Sequence, residues 1–307
     1  MDWSKVKSLN VQLSLEYAND QMTIETLPNY DPFDFTEEAK IKFSADDIFS
    51  KYFDIVGIDW DFTKTFFDGF VIQKSLGREQ NSYTIVAPSV LLSRNECTIS
   101  IEDETPLGNV IDAIAHGFTL VVDDDIEDET YQNADTVGCA IMDILEDMAS
   151  VFERKVYVRG KTIYITKELP KEEYGTVILD PKYTKVDITQ SIGGADAYTL
   201  VIARADIDGD TVEKQERIIE ADHDLVDVII PEDDDNVDSE DKLESFLKKR
   251  VKEIKQSIFA KRFETLFNPN ILPNGKVSYN GEEYNVLEVE HRINSKEWVT
   301  VVKACQY

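Results

Sequence analysis

Three histidines (His116, His223, His291), three cysteines (Cys97, Cys139, Cys305) and 61 Asp and Glu residues supply this chain's acid–base, nucleophilic and metal-binding side chains. Nucleophilic hydrolysis needs a base within hydrogen-bond reach of a hydroxyl or thiol, and a third group to orient that base. The sequence has no GxSxG turn, and its histidines fall in different predicted elements. Zinc spacing of the HExxH kind is absent, as are GxGxxG and the phosphate-cradling loop; Gly193 and Gly194 belong to no P-loop lysine pattern. Paired carboxylates for sugar hydrolysis carry no information here, because acids this abundant pair by chance. Asp206, Asp208 and Asp210 alternate as in an EF-hand loop, but Thr211 replaces the required glycine and Arg217 the closing glutamate. A polar hairpin tip accounts for them without calcium. A solvated loop accounts equally for Asp123, Asp124, Asp125, Glu127, Asp128 and Glu129. The expectation is no catalytic residue, no cofactor and no metal ligand.

The elements that would position these groups are mostly strands. Val11, Leu13 and Leu15 alternate with polar neighbours, as do residues 40–44, and 64–73 and 81–87 are rich in aromatic and β-branched residues. Asp68 and Gly69 mark either a turn or a bulge within the third of these. Residues 30–61 show weak periodicity and read as a long connecting loop. In the middle, Thr105 and Pro106 suit a helix start. Leu107, Val110, Ile111, Ile114, Ala115 and Phe118 then lie on one helical face. A second helix is expected over 136–152, on the stripe Val137, Ile141, Ile144, Leu145, Met148 and Phe152, followed by a hairpin of 155–158 with 162–165. The last third returns to strands at 176–179, 185–189 and 197–203, with a turn at Asp208 and Gly209. A long helix over about 239–266 carries Leu243, Phe246, Leu247, Val251, Ile254 and Ile258. Strands over 275–279, 284–293 and 298–303 close the chain, the first two joined at Asn280-Gly281.

Composition limits the partners. With 61 acidic and 32 basic residues, the 307-residue chain carries a formal net charge of −29 and should repel nucleic acid and anionic membranes. The charge is segregated. Residues 101–153 hold 15 acids and no Lys or Arg, whereas Lys242, Lys248, Lys249, Arg250, Lys252, Lys255, Lys261 and Arg262 crowd the predicted long helix. That helix lacks the interleaved aromatics of a nucleic-acid surface and carries offsetting Glu244 and Glu253. Either both are solvated faces, or the basic helix meets acid on a neighbouring subunit. The odd, scattered cysteines make no disulfide framework and fit a reduced cytoplasm. No apolar stretch approaches the ~20 residues of a membrane span, and residues 1–15 lack the apolar core of a signal peptide.

In its order of elements the chain resembles the late control gene D family of phage tail hubs. Segment 65–72 (TFFDGFVI) is similar to the F-x-G-x-[VI] strand of that family's first barrel, with Phe67, Gly69 and Val71 in the marked places. The helix opening at Thr105 fills the next position, with Gly108 and Asn109 where the family commonly has an acid. Segment 141–165 resembles the following helix and hairpin. Residues 275–277, 284–291 and 298–300 look like the closing strands of the second barrel. The resemblance runs from about residue 60 onward and leaves 30–61 outside it.

It implies an α+β, mainly β chain. An N-terminal tube-like barrel (1–96) and a second barrel with the long helix (169–307) would flank an acidic α+β unit (97–168). It also implies a homotrimer in the baseplate of a contractile phage tail or tailocin, with tail tube protein above, central spike protein below and wedge proteins as further neighbours. Such a subunit is made in the bacterial cytoplasm and assembled into the particle. Part of the acid would then line a channel that must not retain phosphates. The alternatives are a glycan-binding or peptidoglycan-degrading tail component and a calcium-binding interaction protein.

Overall fold

The structure, a computed structural model, describes residues 1–14, 20–35, 38–167, 175–187, 198–207, 210–219, 224–231, 237 and 239–306. The chain is mainly β with five helices among these residues. It opens with β1 (Val6–Ser14), β2 (Gln21–Thr26), β3 (Glu38–Ile41), α1 (Ile48–Val56), β4 (Phe67–Leu76), β5 (Asn81–Val86) and α2 (Pro88–Arg94). A middle unit follows: β6 (Glu96–Pro106), α3 (Leu107–Ile114), β7 (Thr119–Val122), β8 (Thr130–Ala140), α4 (Ile141–Val151), β9 (Lys155–Arg159) and β10 (Thr162–Thr166). Then come β11 (Thr176–Ile178), β12 (Lys185–Asp187), β13 (Leu200–Ile207), β14 (Asp210–Arg217), β15 (Val226–Ile229) and α5 (Glu240–Phe259). The chain closes with β16 (Lys261–Leu266), β17 (Lys276–Tyr279), β18 (Glu282–Asn294) and β19 (Trp298–Cys305).

The two barrels expected at either end are not closed sheets. Their strands join into one 11-stranded sheet in the order β12-β16-β19-β18-β1-β2-β5-β4-β3, with β17 and β11 branching from β18. The seam is β1 against β18, antiparallel from Ser8 opposite Asn294 to Ser14 opposite Glu288. Period-two alternation sets the register, because Leu9 and Val11 must point inward with Met22, Ile24 and Ile293. Under this sheet α1 packs Phe49 and Phe53 into an aromatic cluster completed from the far end of the chain. Phe49 stacks on Trp298 at 5.0 Å, Phe53 on Phe267 at 6.1 Å, and Tyr52 Oη donates to the Phe267 carbonyl at 3.0 Å.

Several boundaries differ from the sequence expectation. Helix α1 lies inside the segment read as a loop. It is only nine residues long, but Asp47 caps its first turn and Gly57, in the left-handed region at φ 73°, ends it. Helix α2 was also not foreseen. The expected helix over 136–152 begins only at Ile141, because 130–140 pair with β6 as a strand and Gly138 takes φ 65°. The long helix stops at Phe259. Ala260 is extended, and Phe263 and Thr265 alternate inward in a strand between β12 and β19, so Lys261 and Arg262 lie on a sheet. The hairpin at Asn280-Gly281 forms as expected, with φ 53° and 84°. The turn expected at Asp208 and Gly209, the site of His223 and residues 188–189 of one expected strand lie outside the described residues.

The middle unit has its own core: Leu107, Val110, Ile111 and Ile114 of α3 meet Ile144, Leu145 and Met148 of α4 over Val158, Ile163 and Ile165. Helix α5 likewise buries Leu243, Leu247, Val251, Ile254 and Ile258 against Val201, Ala203 and Ile207 of the β14-β13-β15 sheet. Each such burial stabilises by roughly 1.5–3 kcal/mol. Ser239 caps α5, and Glu240 and Asp241 in its first turn favour the positive helix end.

A cavity of about 120 Å³ lies where the middle unit meets the large sheet, lined by Ser14, Asp20, Asp68, Tyr157, Gly160 and Pro269 among others. Asp20 accepts the Ser14 backbone N–H at 2.7 Å. Burial pushes its carboxyl up to about 7, with that hydrogen bond opposing. Asp68 is also raised, by burial and the nearby charge of Glu38, with Lys40 and Lys161 opposing. In strand β4 itself Gly69 meets a close backbone neighbour: a Cβ there would stand 2.2 Å from the Val86 carbonyl oxygen.

Gly69→Ala therefore forces β4 off β5 and is expected to destabilise the chain by ~3 kcal/mol, measured by urea unfolding. Asp20 gives a pH signature. An unfolded aspartate titrates near 3.8, so from there to about 7 only the folded chain holds the proton. Stability from this group is full at low pH and is lost as pH rises through about 7. Asp20→Asn removes that loss, and its stability relative to the parent should rise by on the order of 2–4 kcal/mol between about pH 4 and about pH 8. Urea midpoints at each pH check this.

Candidate assembly interface

The residues singled out for chemistry are not brought together. His116 is exposed after α3, and His291 is fully buried in β18 between Phe66 and Phe267, with ring centroids 5.4 Å away in each case. Its Nδ1 lies 2.9 Å from Thr300 Oγ1 across the β18–β19 ladder. Burial pushes its imidazole down to about 3, the Ile271 backbone opposing. Its burial among aromatic rings favours the neutral imidazole.

Asp206 and Asp210 sit on facing strands of the β13–β14 hairpin rather than in a helix–loop–helix, and Asp206 accepts from Thr211 Oγ1 at 2.7 Å. Asp208 lies outside the described residues. Arg217 holds Asp224 through two hydrogen bonds, of 2.5 and 2.9 Å. The acidic run after β7 is tied down by cations. Asp123 and Asp125 both engage Arg154, at 2.9 and 2.8 Å, and Lys167 Nζ reaches Asp125 at 2.8 Å. Those hydrogen bonds hold the Asp125 carboxyl down to about 2. Among the described residues no group of three or more His, Cys, Asp or Glu is placed to hold a metal.

Four cations of the basic stretch, three on α5 and Lys261 on β16, pair within the chain. Lys248 pairs with Glu244, Arg250 with Asp227, Lys255 with Glu216 and Lys261 with Glu282. These partners lie on α5 itself and on the strands β14, β15 and β18. The sequence could not show this, because the partners lie 4 to 39 residues away and only folding brings the far ones close.

What the fold does leave open is apolar. A groove of about 370 Å³ runs between the end of α1 and the β11 loop, lined by Ile55, Ile58, Ile178, Tyr183 and Ile271 among others. Ile55 is 84% exposed and Ile178 80%, although both are large aliphatics. A second apolar strip follows β15, the edge of its sheet, where Val226, Val228 and Ile230 face outward. Exposed apolar surface on this scale is characteristic of contact sites rather than of solvated faces. Sequence periodicity missed the groove, since Ile55 sits in the segment read as a loop and Ile178 in a three-residue strand. No described helix is long and apolar enough to cross a membrane.

No family model matches the sequence, and no curated protein matches it. Solved structures do. The tail protein from Neisseria meningitidis MC58 superposes with a TM-score of 0.68 at 9% identity, covering 98% of this chain and 92% of that one. The 43 kDa tail protein of prophage MuSo2 from Shewanella oneidensis gives 0.64 at 11% identity, over 97% and 94%. An E. coli component of the type VI secretion system, described as similar to T4 tail proteins gp27 and gp5, gives 0.51 at 9% identity, over 99% and 74%. From end to end, then, this chain has the mainly β, α+β fold of phage and prophage tail proteins.

Proposed function

We propose that the chain is a structural subunit of a tail baseplate hub, three copies forming a ring that joins a tail tube to a central spike. The observation that carries this is the chain-long likeness to two tail proteins, over 97–98% of this chain and 92–94% of theirs. A likeness of this extent supports a structural role in a tail. So do the apolar groove and the apolar edge strand, which suit contacts between proteins.

In this reading residues 1–96 and 169–307 supply the two tube-like units of each subunit and 97–168 the acidic outgrowth between them. The net charge of −29 keeps the assembled ring from retaining nucleic acid, and part of it faces the channel. The subunit is made in a bacterial cytoplasm and taken into a contractile particle, with wedge proteins at its rim. Catalysis is left to other components.

Light scattering on the purified chain should give a mass of about 105 kDa, three times 35.0 kDa, and the chain should co-elute with the tube and spike proteins of its own particle. A strict monomer that binds neither overturns the proposal. Ile55→Glu places a charge in the apolar groove without touching a core, so it should lower trimer affinity at least tenfold while leaving the unfolding free energy of the monomer within about 0.5 kcal/mol of the parent. Sedimentation velocity across a dilution series reads the first, and urea unfolding the second.

A further inference from the structure

Cys97 and Cys139, 42 residues apart in sequence, are directly opposed partners in the antiparallel pairing of β6 with β8. Both are half-buried and both pack on the core of the middle unit, so their side chains leave the ribbon on the same face. Opposed residues of an antiparallel pair have Cα atoms about 4.5 or 5.5 Å apart, depending on the hydrogen-bonding pattern, and a disulfide spans roughly 4.4–6.8 Å. Both separations fall within that span. The register shifts just beyond the pair, between Cys97 and Ile99, and Gly138 beside Cys139 takes φ 65°, so the backbone has freedom to settle the sulfurs. The third cysteine is elsewhere: Cys305 is buried at the end of β19, opposite Asn285.

We infer that Cys97 and Cys139 form a disulfide site, closed when the protein meets an oxidising environment. It does not depend on the hub reading. One thiolate attacks a low-molecular-weight disulfide such as oxidised glutathione, giving a mixed disulfide and one released thiol. The second thiolate attacks the protein-bound sulfur of that intermediate and releases the second thiol. The reagent's S–S bond breaks, the Cys97–Cys139 bond forms, and two electrons and two protons pass from protein to reagent. Burial and the neighbouring Cys139 push the Cys97 thiol up, which lowers its thiolate fraction and slows the exchange. The bond would close the loop that carries α3, β7 and the acidic run. It would also staple a two-stranded ribbon, the sheet type least able to hold itself together.

The test uses the full-length folded protein treated with oxidised glutathione, then denatured and titrated for thiols. Free thiols should fall from three to one, and peptide mapping should join Cys97 to Cys139 within one chain. The melting temperature should rise by about 5 °C over the reduced protein. Cys97→Ser and Cys139→Ser should each show no intrachain link and no such rise. Three thiols after oxidation, a stable glutathione adduct on either cysteine, links between chains, or a melting temperature no higher than that of the reduced protein overturns the inference. The wild-type thiol count decides the matter even if a serine variant folds poorly.

Discussion

The seam between β1 and β18 is the interaction on which the rest of the molecule depends. Seven residue pairs join the first strand of the chain to one that ends at Asn294, and through them two groups of strands become one sheet. Pairing at such sequence distance brings a large loop-closure cost, which the buried faces must offset. They do so by sharing a core. Phe267, Ile293 and Trp298 from the C-terminal strands pack on Phe43, Phe49 and Phe53 near the start. Neither end could be cut away without exposing part of the other's interior. Everything between, including the middle unit and the α5 layer, is inserted into a frame that the two ends hold closed.

Charge is handled locally rather than spread evenly. Asp123 and Asp125 of the acidic run after β7 are bound to Arg154, whose side chain is only 5% exposed, and Arg250 and Lys255 of α5 are bound to acids of the adjoining sheet. Such pairs contribute little when exposed and more when one partner is buried, so Arg154 is the one that matters for the fold. The net surplus of acid then remains as a long-range negative field.

At 9–11% identity, the likeness to tail proteins persists although almost every side chain has changed. What persists is backbone logic. Gly69 shows it at one position: the strand resembling F-x-G-x-[VI] needs a residue without a Cβ because the Val86 carbonyl would stand 2.2 Å from one. The exposed surface here is apolar at Ile55 and Ile178.

The sequence by itself determined the mainly β, α+β class and the elements with clear local periodicity. Alternation in β1, the helical stripe of α5 and the Asn280-Gly281 turn are local patterns that report which face is buried, and they needed no tertiary knowledge. Local pattern failed where tertiary context competes with it. Residues 136–140 and 261–266 have helix-compatible periodicity, but ladder partners in β6, β12 and β19 hold them extended. Helix α1 was illegible because nine residues carry too few turns to show a period, and its aromatics read equally well as a loop. The sites followed the same rule. The exclusion of catalytic motifs was readable from spacing alone. The opposition of Cys97 and Cys139, the apolar groove and the burial of His291 were decided only by the fold, since each depends on distances between residues far apart in the chain.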